Sequence, residues 1–216
     1  MERFSAAVAT FEHALDRSRQ MVTLFDALSA LRPREAANDD ALRSAYILAV
    51  SSLDFLAHEL AAVEAKHRFS SNLLTRNIQL PMDVITSAEF ETRVAAAENH
   101  IRQANSYKAF VDPAKLAELL SCYCHKPWEK LAALINSGLP ENEKKSCDHI
   151  KGQLKSVWKR RNQIAHEADI NPTLGGVSLW PIDKADTELT INFIGSIGAQ
   201  LPKVFSEILS GDDNDQ

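Results

Sequence analysis

The chain has 216 residues, 45% of them hydrophobic and 25% charged, which is typical of one globular domain rather than of a disordered or fibrous chain. It opens at Met1 with an amphipathic pattern rather than an apolar leader, and it has only three cysteines and no run of about 20 apolar residues. We therefore expect a cytoplasmic protein with no membrane span. The net charge of −5 argues against a protein that binds nucleic acid over its whole surface.

Two long helices are predicted in the first third of the chain. Apolar residues at intervals of three and four predict a first helix that ends before Pro33. These residues are Phe4, Val8, Phe11, Leu15, Val22, Phe25 and Leu28, with Ser18 as the one polar member of the series between Leu15 and Val22. Asn38-Asp39-Asp40 is predicted to cap a second helix that continues to about Lys66. Because the second helix is apolar around most of its circumference, we expect it at the centre of a helical bundle.

The middle of the chain is predicted to contain a loop followed by short helices. Residues 68–85 have no clear period and contain a proline, which indicates a loop. Thr86-Ser87-Ala88-Glu89 resembles a capping box and precedes a helix with one apolar face. Asp112-Pro113 is a cap followed by a first-turn proline, and Pro127 starts a further short helix that ends by Gly138.

Two more helices are predicted in the last third, with Ser146 and Asp186 as their caps and a short strand or turn at residues 175–181. The apolar stripe of the last helix is Leu189, Phe193, Ile197, Leu201, Val204 and Ile208. The sequence thus predicts a single all-α domain of five to seven helices over residues 1–209. Residues 210–216 are predicted to form a disordered acidic tail.

One segment of the helix predicted after Ser146 combines residues suited to RNA cleavage. It reads Val157-Trp158-Lys159-Arg160-Arg161-Asn162-Gln163-Ile164-Ala165-His166. A histidine exchanges a proton near neutral pH, and a guanidinium holds a phosphate oxygen in a forked grip. Cleavage of RNA without a metal requires these two functions. The candidate catalytic residues are therefore Arg161, Asn162 and His166.

The tight form of this pattern, with Asn directly after Arg and His four residues later, is rare by chance. In a chain of this composition it is expected about 0.02 times, whereas the loose pattern of Arg and His separated by four to six residues is expected about once. Arg93 and His100 also fit the loose pattern. We interpret that second match as coincidence.

Arg161 interrupts an apolar stripe of its helix, and a charge on a buried face needs a partner or a function. The alternative to catalysis is a structural ion pair with Asp54 or Glu59 of the central helix. His166 shares a helix face with Asn162 but diverges from Arg161 by roughly 140° on an ideal helix. The length of arginine, a distorted helix or a second copy of the site across a dimer would overcome that divergence.

Basic residues are concentrated in one part of this acidic chain. Between Lys144 and Arg161 there are seven lysines and arginines and one acid, Asp148. A local basic strip suits the capture of a polyanion, so Lys155, Lys159 and Arg160 are candidate RNA-binding residues. The alternative is a solvated helix face with no ligand.

Cys122 and Cys124 are followed by His125, which would suit a metal site only in part. The two cysteines are closer together than in structural zinc sites, and no second pair of ligands follows them. We therefore expect free thiols, with neither a metal nor another cofactor.

Arg161-Asn162-x3-His166, followed by a connection and a closing helix, resembles the motif of the HEPN superfamily of ribonucleases, most closely its RiboL-PSP branch. Softer similarities are Ser52-Leu53-Asp54-Phe55-Leu56 and the stretch from Phe110 to Leu116. Together they cover about residues 40–205, and only the first has the specificity of a motif. The resemblance does not extend to the long first helix.

The resemblance implies a HEPN-like helical bundle that pairs as a homodimer around one cleft, and a metal-independent endoribonuclease. It also implies a toxin–antitoxin or phage-defence setting, with an antitoxin or other defence protein as partner. In such an enzyme His166 would take the proton of a ribose 2′-hydroxyl and Arg161 would stabilise charge on the phosphoryl group. Asn162 would orient the histidine or the phosphate.

Two other functions are compatible with the sequence. One is a non-catalytic module of the same fold that binds RNA or a nucleotide. The other is an interaction protein whose long first helix, with its heptad-like apolar spacing, pairs with a helix of a partner.

Overall fold

Helices form almost all of the regular structure. The computed structural model describes residues 2–33, 35–86, 89–172, 178–207 and 209, and within them it has eight α-helices and no extended strand. The helices are α1 (Ser5–Leu31), α2 (Ala36–Ser70), α3 (Met82–Thr86), α4 (Phe90–Asn105), α5 (Pro113–Ser121), α6 (Pro127–Ile135), α7 (Cys147–His166) and α8 (Lys184–Phe205). Short 3-10 turns occupy Glu2–Phe4 and Glu141–Glu143. The prediction of an all-α fold is confirmed.

The number of helices exceeds the predicted range of five to seven. The additional helix is α3, which lies at the end of the predicted loop at 68–85. It follows Pro81, whose carbonyl accepts a hydrogen bond of 3.1 Å from the Val84 N–H group. Proline has its φ angle fixed near the helical value, so a single turn can start there without any apolar periodicity in the sequence.

Two predicted helix caps are confirmed, and each is formed by a side chain that accepts a backbone hydrogen bond. Asp112 Oδ1 accepts from Ala114 N at 2.9 Å, and Ser146 Oγ accepts from His149 N at 3.1 Å. Both residues precede a run that has no other way to satisfy its first N–H groups.

The other two side-chain caps differ from the prediction. Asp183, not Asp186, caps α8, and its Oδ1 accepts from the Asp186 N–H group at 2.9 Å. Asn38 lies inside α2, where its side-chain amide donates to the Arg32 carbonyl at 2.8 Å and so joins the two long helices. The predicted capping box at 86–89 includes Ser87 and Ala88, which lie outside the described residues.

The second helix is the centre of the bundle, as predicted. It contacts α1, α4, α7 and α8. Nine of its apolar residues are fully buried: Leu42, Ala45, Ala49, Val50, Leu53, Leu56, Ala57, Leu60 and Ala61. Contact with neighbours on several sides explains why its apolar positions surround most of the helix instead of forming one stripe.

Because α2 is apolar around most of its circumference, Ala37–Ser70 is also long and apolar enough to cross a membrane, judged by length and composition alone. The sequence-based statement that no segment approaches a membrane span therefore does not hold for this helix. More than half of its most apolar window is buried within the protein, and it carries the buried charged residues Arg43, Glu64 and Arg68. The core helix of a bundle and a membrane span satisfy the same test of hydropathy.

Buried charge also joins the two ends of the chain to α2. Arg68 donates from Nε to Glu64 at 2.8 Å, and its remaining N–H groups donate to backbone carbonyls. Those carbonyls belong to Leu74, Tyr123, Phe205 and Glu207. The carboxylate of Glu64 accepts in addition from Arg3 Nε at 2.7 Å. One arginine thus joins α2, the segment after it, the end of α5 and the end of α8.

The last helix buries a broader face than its predicted stripe. Leu189 was expected to be part of that stripe but is 63% exposed, whereas Ile191 and Ile194 are buried. Because α8 packs against α1, α2 and α6 together, residues on either side of the predicted stripe are also covered. Ile208, the last residue of the stripe, lies outside the described residues.

A close approach between α1 and α8 requires a glycine. A Cβ atom built on Gly198 would lie 2.2 Å from Cζ of the buried Phe11 ring, which is closer than atoms approach without overlap. At Gly195, one turn earlier, the nearest atom would be Leu15 Cδ1 at an ordinary 3.5 Å. Both glycines lie on α8 next to α1, but only Gly195 has room for a methyl group.

We predict that Gly198→Ala lowers the free energy of unfolding by about 1–3 kcal/mol, because the Phe11 ring or the α8 backbone must move. Gly195→Ala should be neutral or stabilising by up to about 1 kcal/mol, since alanine favours a helix interior. Urea unfolding followed by circular dichroism measures both values. Equal effects of the two substitutions would contradict the predicted contact.

Candidate active site

The motif segment lies at the C-terminal end of α7. This helix buries Ile150, Leu154 and Val157 against the bundle. Lys155 and Lys159 are exposed, on the side of the helix that faces solvent. The first part of the predicted stripe therefore packs inward, whereas Ala165 and Ala168 at its end are exposed. The two lysines are accessible to a ligand.

The structure brings the three predicted catalytic residues together. Arg161 Nη1 lies 3.3 Å from His166 Nε2 and 3.2 Å from Asn162 Oδ1. A guanidinium group can only donate, so Arg161 Nη1 is the donor in this contact and His166 Nε2 is placed where it can accept.

The expected divergence between Arg161 and His166 does not keep their side chains apart. His166 is the last residue of α7, and the long side chain of Arg161 reaches its ring within the same chain. Of the three ways to overcome the divergence, the length of the arginine side chain is therefore sufficient. Because this contact lies within one chain, it does not bear on whether the protein forms a dimer.

Arg161 is not the structural ion-pair partner of either predicted carboxylate. Asp54 Oδ1 accepts from the Phe110 N–H group at 2.6 Å, and the Glu59 carboxylate is paired with Arg102 of α4. The Nε atom of Arg161 is buried and has no hydrogen-bond partner. Within the described residues its guanidinium therefore has no carboxylate partner, and one of its donors lacks an acceptor.

The three residues differ in how much of their surface is exposed to solvent. His166 is exposed, while Arg161 and Asn162 are half-buried. A ligand can therefore reach the imidazole from solvent, and the arginine beneath it is partly shielded from water. Partial burial strengthens the interaction of a guanidinium with an anion, because water screens the charge less.

Arg160, a predicted RNA-binding residue, is engaged in an ion pair. Both of its terminal nitrogens donate to the carboxylate of Asp169, with Nη2 at 3.0 Å from Oδ2, and Nη2 also donates to the Pro181 carbonyl at 3.2 Å. These bonds occupy the planar end of the guanidinium that would hold a phosphate. Among the described residues Lys155 and Lys159 have no ion-pair partner, so they are more available to a ligand than Arg160 is.

Asp169 is the important residue near the site that the sequence did not indicate. Its carboxylate is buried and accepts from Arg43 Nε at 2.6 Å as well as from Arg160. Its backbone carbonyl accepts from Trp180 N at 2.8 Å. Because Arg43 belongs to α2 and Arg160 to α7, this one carboxylate joins the central helix, the motif helix and the connection that follows it.

The connection after His166 turns sharply. Ala168 and Asp169 have φ angles of +50° and +57°, and the Asp169 N–H group donates to the Gln163 carbonyl at 3.0 Å. Positive φ is unfavourable for alanine, and aspartate tolerates it better. The buried ion pairs of Asp169 stabilise this turn and so determine where α7 ends. The only sequence signal was an unexplained acid three residues after the motif.

A tyrosine of α2 lies behind the motif helix. The hydroxyl of Tyr46 is 3.5 Å from the Val157 carbonyl, at the long limit of a hydrogen bond. Burial raises the pKa of this phenol above its ordinary value, although a hydrogen bond to Thr190 acts in the opposite direction. Tyr46 therefore stays protonated and neutral at physiological pH and serves to pack α7, not to transfer protons.

The cysteines are separate from the motif. Burial raises the pKa of Cys124 to about 12, and it also raises the pKa values of Cys122 and Cys147. Metals bind the thiolate, which these shifts disfavour. His125 Nδ1 is 3.3 Å from Arg76 Nη1, and within the described residues no three His, Cys, Asp or Glu side chains cluster as metal ligands.

Five clefts of between about 310 and 680 Å³ are lined by other parts of the described chain, and none of the five includes Arg161, Asn162 or His166. Arg93 and His100, the second match to the loose pattern, line two different clefts.

No protein-family model, curated protein or solved structure matches this chain. The resemblance to HEPN ribonucleases accordingly rests on the sequence alone, above all on Arg161-Asn162-x3-His166.

We predict that Asp169→Asn lowers the free energy of unfolding by about 3–5 kcal/mol, because it leaves Arg43 and Arg160 without their buried counter-charge. The matched control is Asp148→Asn on α7, whose carboxylate is 95% exposed and 3.6 Å from Lys151. That change should cost less than about 0.5 kcal/mol. Chemical unfolding measures the free energy of unfolding of both variants. A loss in Asp169→Asn as small as that expected for the control would show that the Asp169 ion pairs do not stabilise the fold.

Proposed function

We propose that this protein is a metal-independent endoribonuclease in which Arg161, Asn162 and His166 form the catalytic group. The observation that carries the proposal is the contact of Arg161 Nη1 with His166 Nε2 at 3.3 Å, next to a buried Arg161 Nε that has no partner. An ordinary structural arginine at such a position would be paired with a carboxylate. Here a general base and an unpaired phosphate-binding group lie side by side.

In the proposed reaction Arg161 first shifts to the RNA phosphate, and His166 then removes a proton from the RNA. A phosphoryl oxygen of RNA is a stronger acceptor than imidazole, so the Arg161 donor moves from His166 Nε2 to the phosphate when RNA binds. That movement frees Nε2 to accept the proton of the ribose 2′-hydroxyl. The 2′-oxygen then attacks the adjacent phosphorus, and the bond to the 5′-oxygen breaks. The departing 5′-oxygen takes a proton from water, and protonated His166 returns its proton to solvent. The products are a 2′,3′-cyclic phosphate and a 5′-hydroxyl end.

Asn162 and the exposed lysines have supporting roles in the proposal. The Asn162 side chain accepts from Arg161 Nη1 at 3.2 Å and so orients the guanidinium before RNA arrives. Lys155 and Lys159 lie on the exposed face of α7 and would hold flanking phosphates. Because lysine contacts to phosphate do not read the bases, we expect cleavage with little sequence specificity from these contacts.

The biological setting is part of the same proposal. HEPN-type ribonucleases with this motif pair as homodimers, and the exposure of His166 on a single chain is compatible with a second copy that forms the other wall of an RNA cleft. We further propose a cytoplasmic protein of a toxin–antitoxin or phage-defence system, with an antitoxin or other defence protein as its partner and with no role at a membrane.

The principal test is an RNA cleavage assay in excess chelator. Wild-type protein should cleave, with a rate that rises with pH because only the neutral imidazole accepts a proton. His166→Ala should lower the rate by about 10²–10⁴-fold, as expected for the loss of a general base. Arg161→Lys should also be severe, because an ammonium does not reproduce the planar fork of a guanidinium.

Two histidines provide matched controls. His149 is exposed on the first turn of the same helix, and His100 belongs to the coincidental pattern on α4. Substitution of either by alanine should leave the rate near that of wild type. A requirement for added divalent metal, or equal losses in the His149 and His166 variants, would contradict the mechanism. Binding of RNA without cleavage would instead indicate the non-catalytic module.

The oligomeric state is a separate prediction. Sedimentation velocity at micromolar concentration should show a homodimer, and RNA should protect His166 from chemical modification in both chains. A monomer at the same concentration that retains full cleavage activity would refute the paired site. It would leave the Arg161–His166 mechanism intact, because both residues come from one chain.

A further inference from the structure

A second candidate site lies in the cleft between the C-terminal part of α2, the segment that follows it, and α4. The cleft has a volume of about 680 Å³, within the range of small-molecule pockets. Its lining is mostly aliphatic and aromatic, and includes Leu73, Leu74, Ile78, Ile85, Phe90 and Ile101. No residue of the α7 motif belongs to it.

Arg93 supplies an unsatisfied positive charge in this apolar lining. Its Nε atom is buried without a hydrogen-bond partner, and within the described residues its guanidinium makes no ion pair. The guanidinium carbon lies 5.6 Å from the centroid of the Phe90 ring. Arg68 also lines the cleft, but its donors are occupied by Glu64 and by backbone carbonyls. Arg93 is therefore the cation available to a ligand.

The apolar part of the cleft is unusually open to water. Leu74 is 56% exposed, Phe90 46% and Ile85 45%, although all three are large hydrophobic residues. Covering such surface with a ligand is favourable, because apolar area is removed from water. A buried donor that lacks an acceptor carries a separate cost, which an anionic ligand group would remove. The exposed apolar lining and the unpaired Arg93 together fit a ligand with an apolar body and a single negatively charged group.

We propose that this cleft binds a small aliphatic carboxylate, with its hydrocarbon chain against the leucine and isoleucine side chains and its carboxylate on Arg93. A nucleotide fits less well. A polyphosphate needs several donors, whereas Arg93 is the one unpaired cation among the residues that line the described cleft.

Titration calorimetry of the full-length protein with decanoate tests the proposal, with decanol as the uncharged ligand of the same length. Wild type should bind decanoate saturably, below the concentration at which it forms micelles. Arg93→Gln should weaken decanoate binding about 10-fold or more and leave decanol binding unchanged, because only the charged hydrogen bond is lost. Leu74→Gln should weaken both ligands about fivefold, because it removes apolar contact area.

Leu31→Gln is the matched control, since Leu31 is 79% exposed and lies outside the cleft. It should change the binding of neither ligand. The absence of saturable decanoate binding to wild type overturns the proposal, and so does unchanged binding in the Arg93 variant or an effect of Leu31→Gln equal to that of Leu74→Gln. Circular dichroism of each variant verifies folding. The result is independent of ribonuclease activity, because the two sites share no residue.

Discussion

Two buried arginines of α2, Arg43 and Arg68, impose a constraint that the rest of the bundle must satisfy. A buried guanidinium is tolerated only when a carboxylate balances its charge and oxygen atoms accept its N–H groups. Arg68 is paired with Glu64 and donates to four backbone carbonyls, the most distant of which is 139 residues away in sequence. Arg43 obtains Asp169, which is 126 residues away in sequence. Each arginine thus connects α2 to the last third of the chain.

The position of the candidate active site follows from the Arg43 end of this arrangement. Asp169 is held by Arg43 of α2 and by Arg160 of α7, so the motif helix and the turn after it are fixed to the central helix. His166 is the last helical residue before that turn. Arg160 and Arg161 are neighbours with opposite environments: one is neutralised by a buried carboxylate, and the other has a buried Nε with no acceptor. That contrast distinguishes a structural arginine from a candidate for phosphate binding.

Local signals in the sequence were sufficient wherever the physics is local. Caps at Asp112 and Ser146 depend on a side chain and an N–H group two or three residues later, and both were predicted. The apolar circumference of α2 indicated its central position, because burial on several sides leaves no polar face. Predictions were wrong where neighbours decide the outcome. Leu189 continues a stripe in the sequence yet is exposed, and Asn38 resembles a cap yet donates to another helix.

The sequence by itself determined the all-α class, the central helix and the group of residues Arg161, Asn162 and His166, because helical period and motif spacing are properties of neighbouring positions. Only the tertiary structure decided which arginine is paired. Arg160 and Arg161 are adjacent on one helix, and no spacing rule assigns Asp169 to the first. Nor does any rule indicate that the side chain of the second spans the angle to His166. Charge pairing is decided by the proximity of carboxylates in space, and for a buried ion pair that proximity arises only when distant parts of the chain pack together.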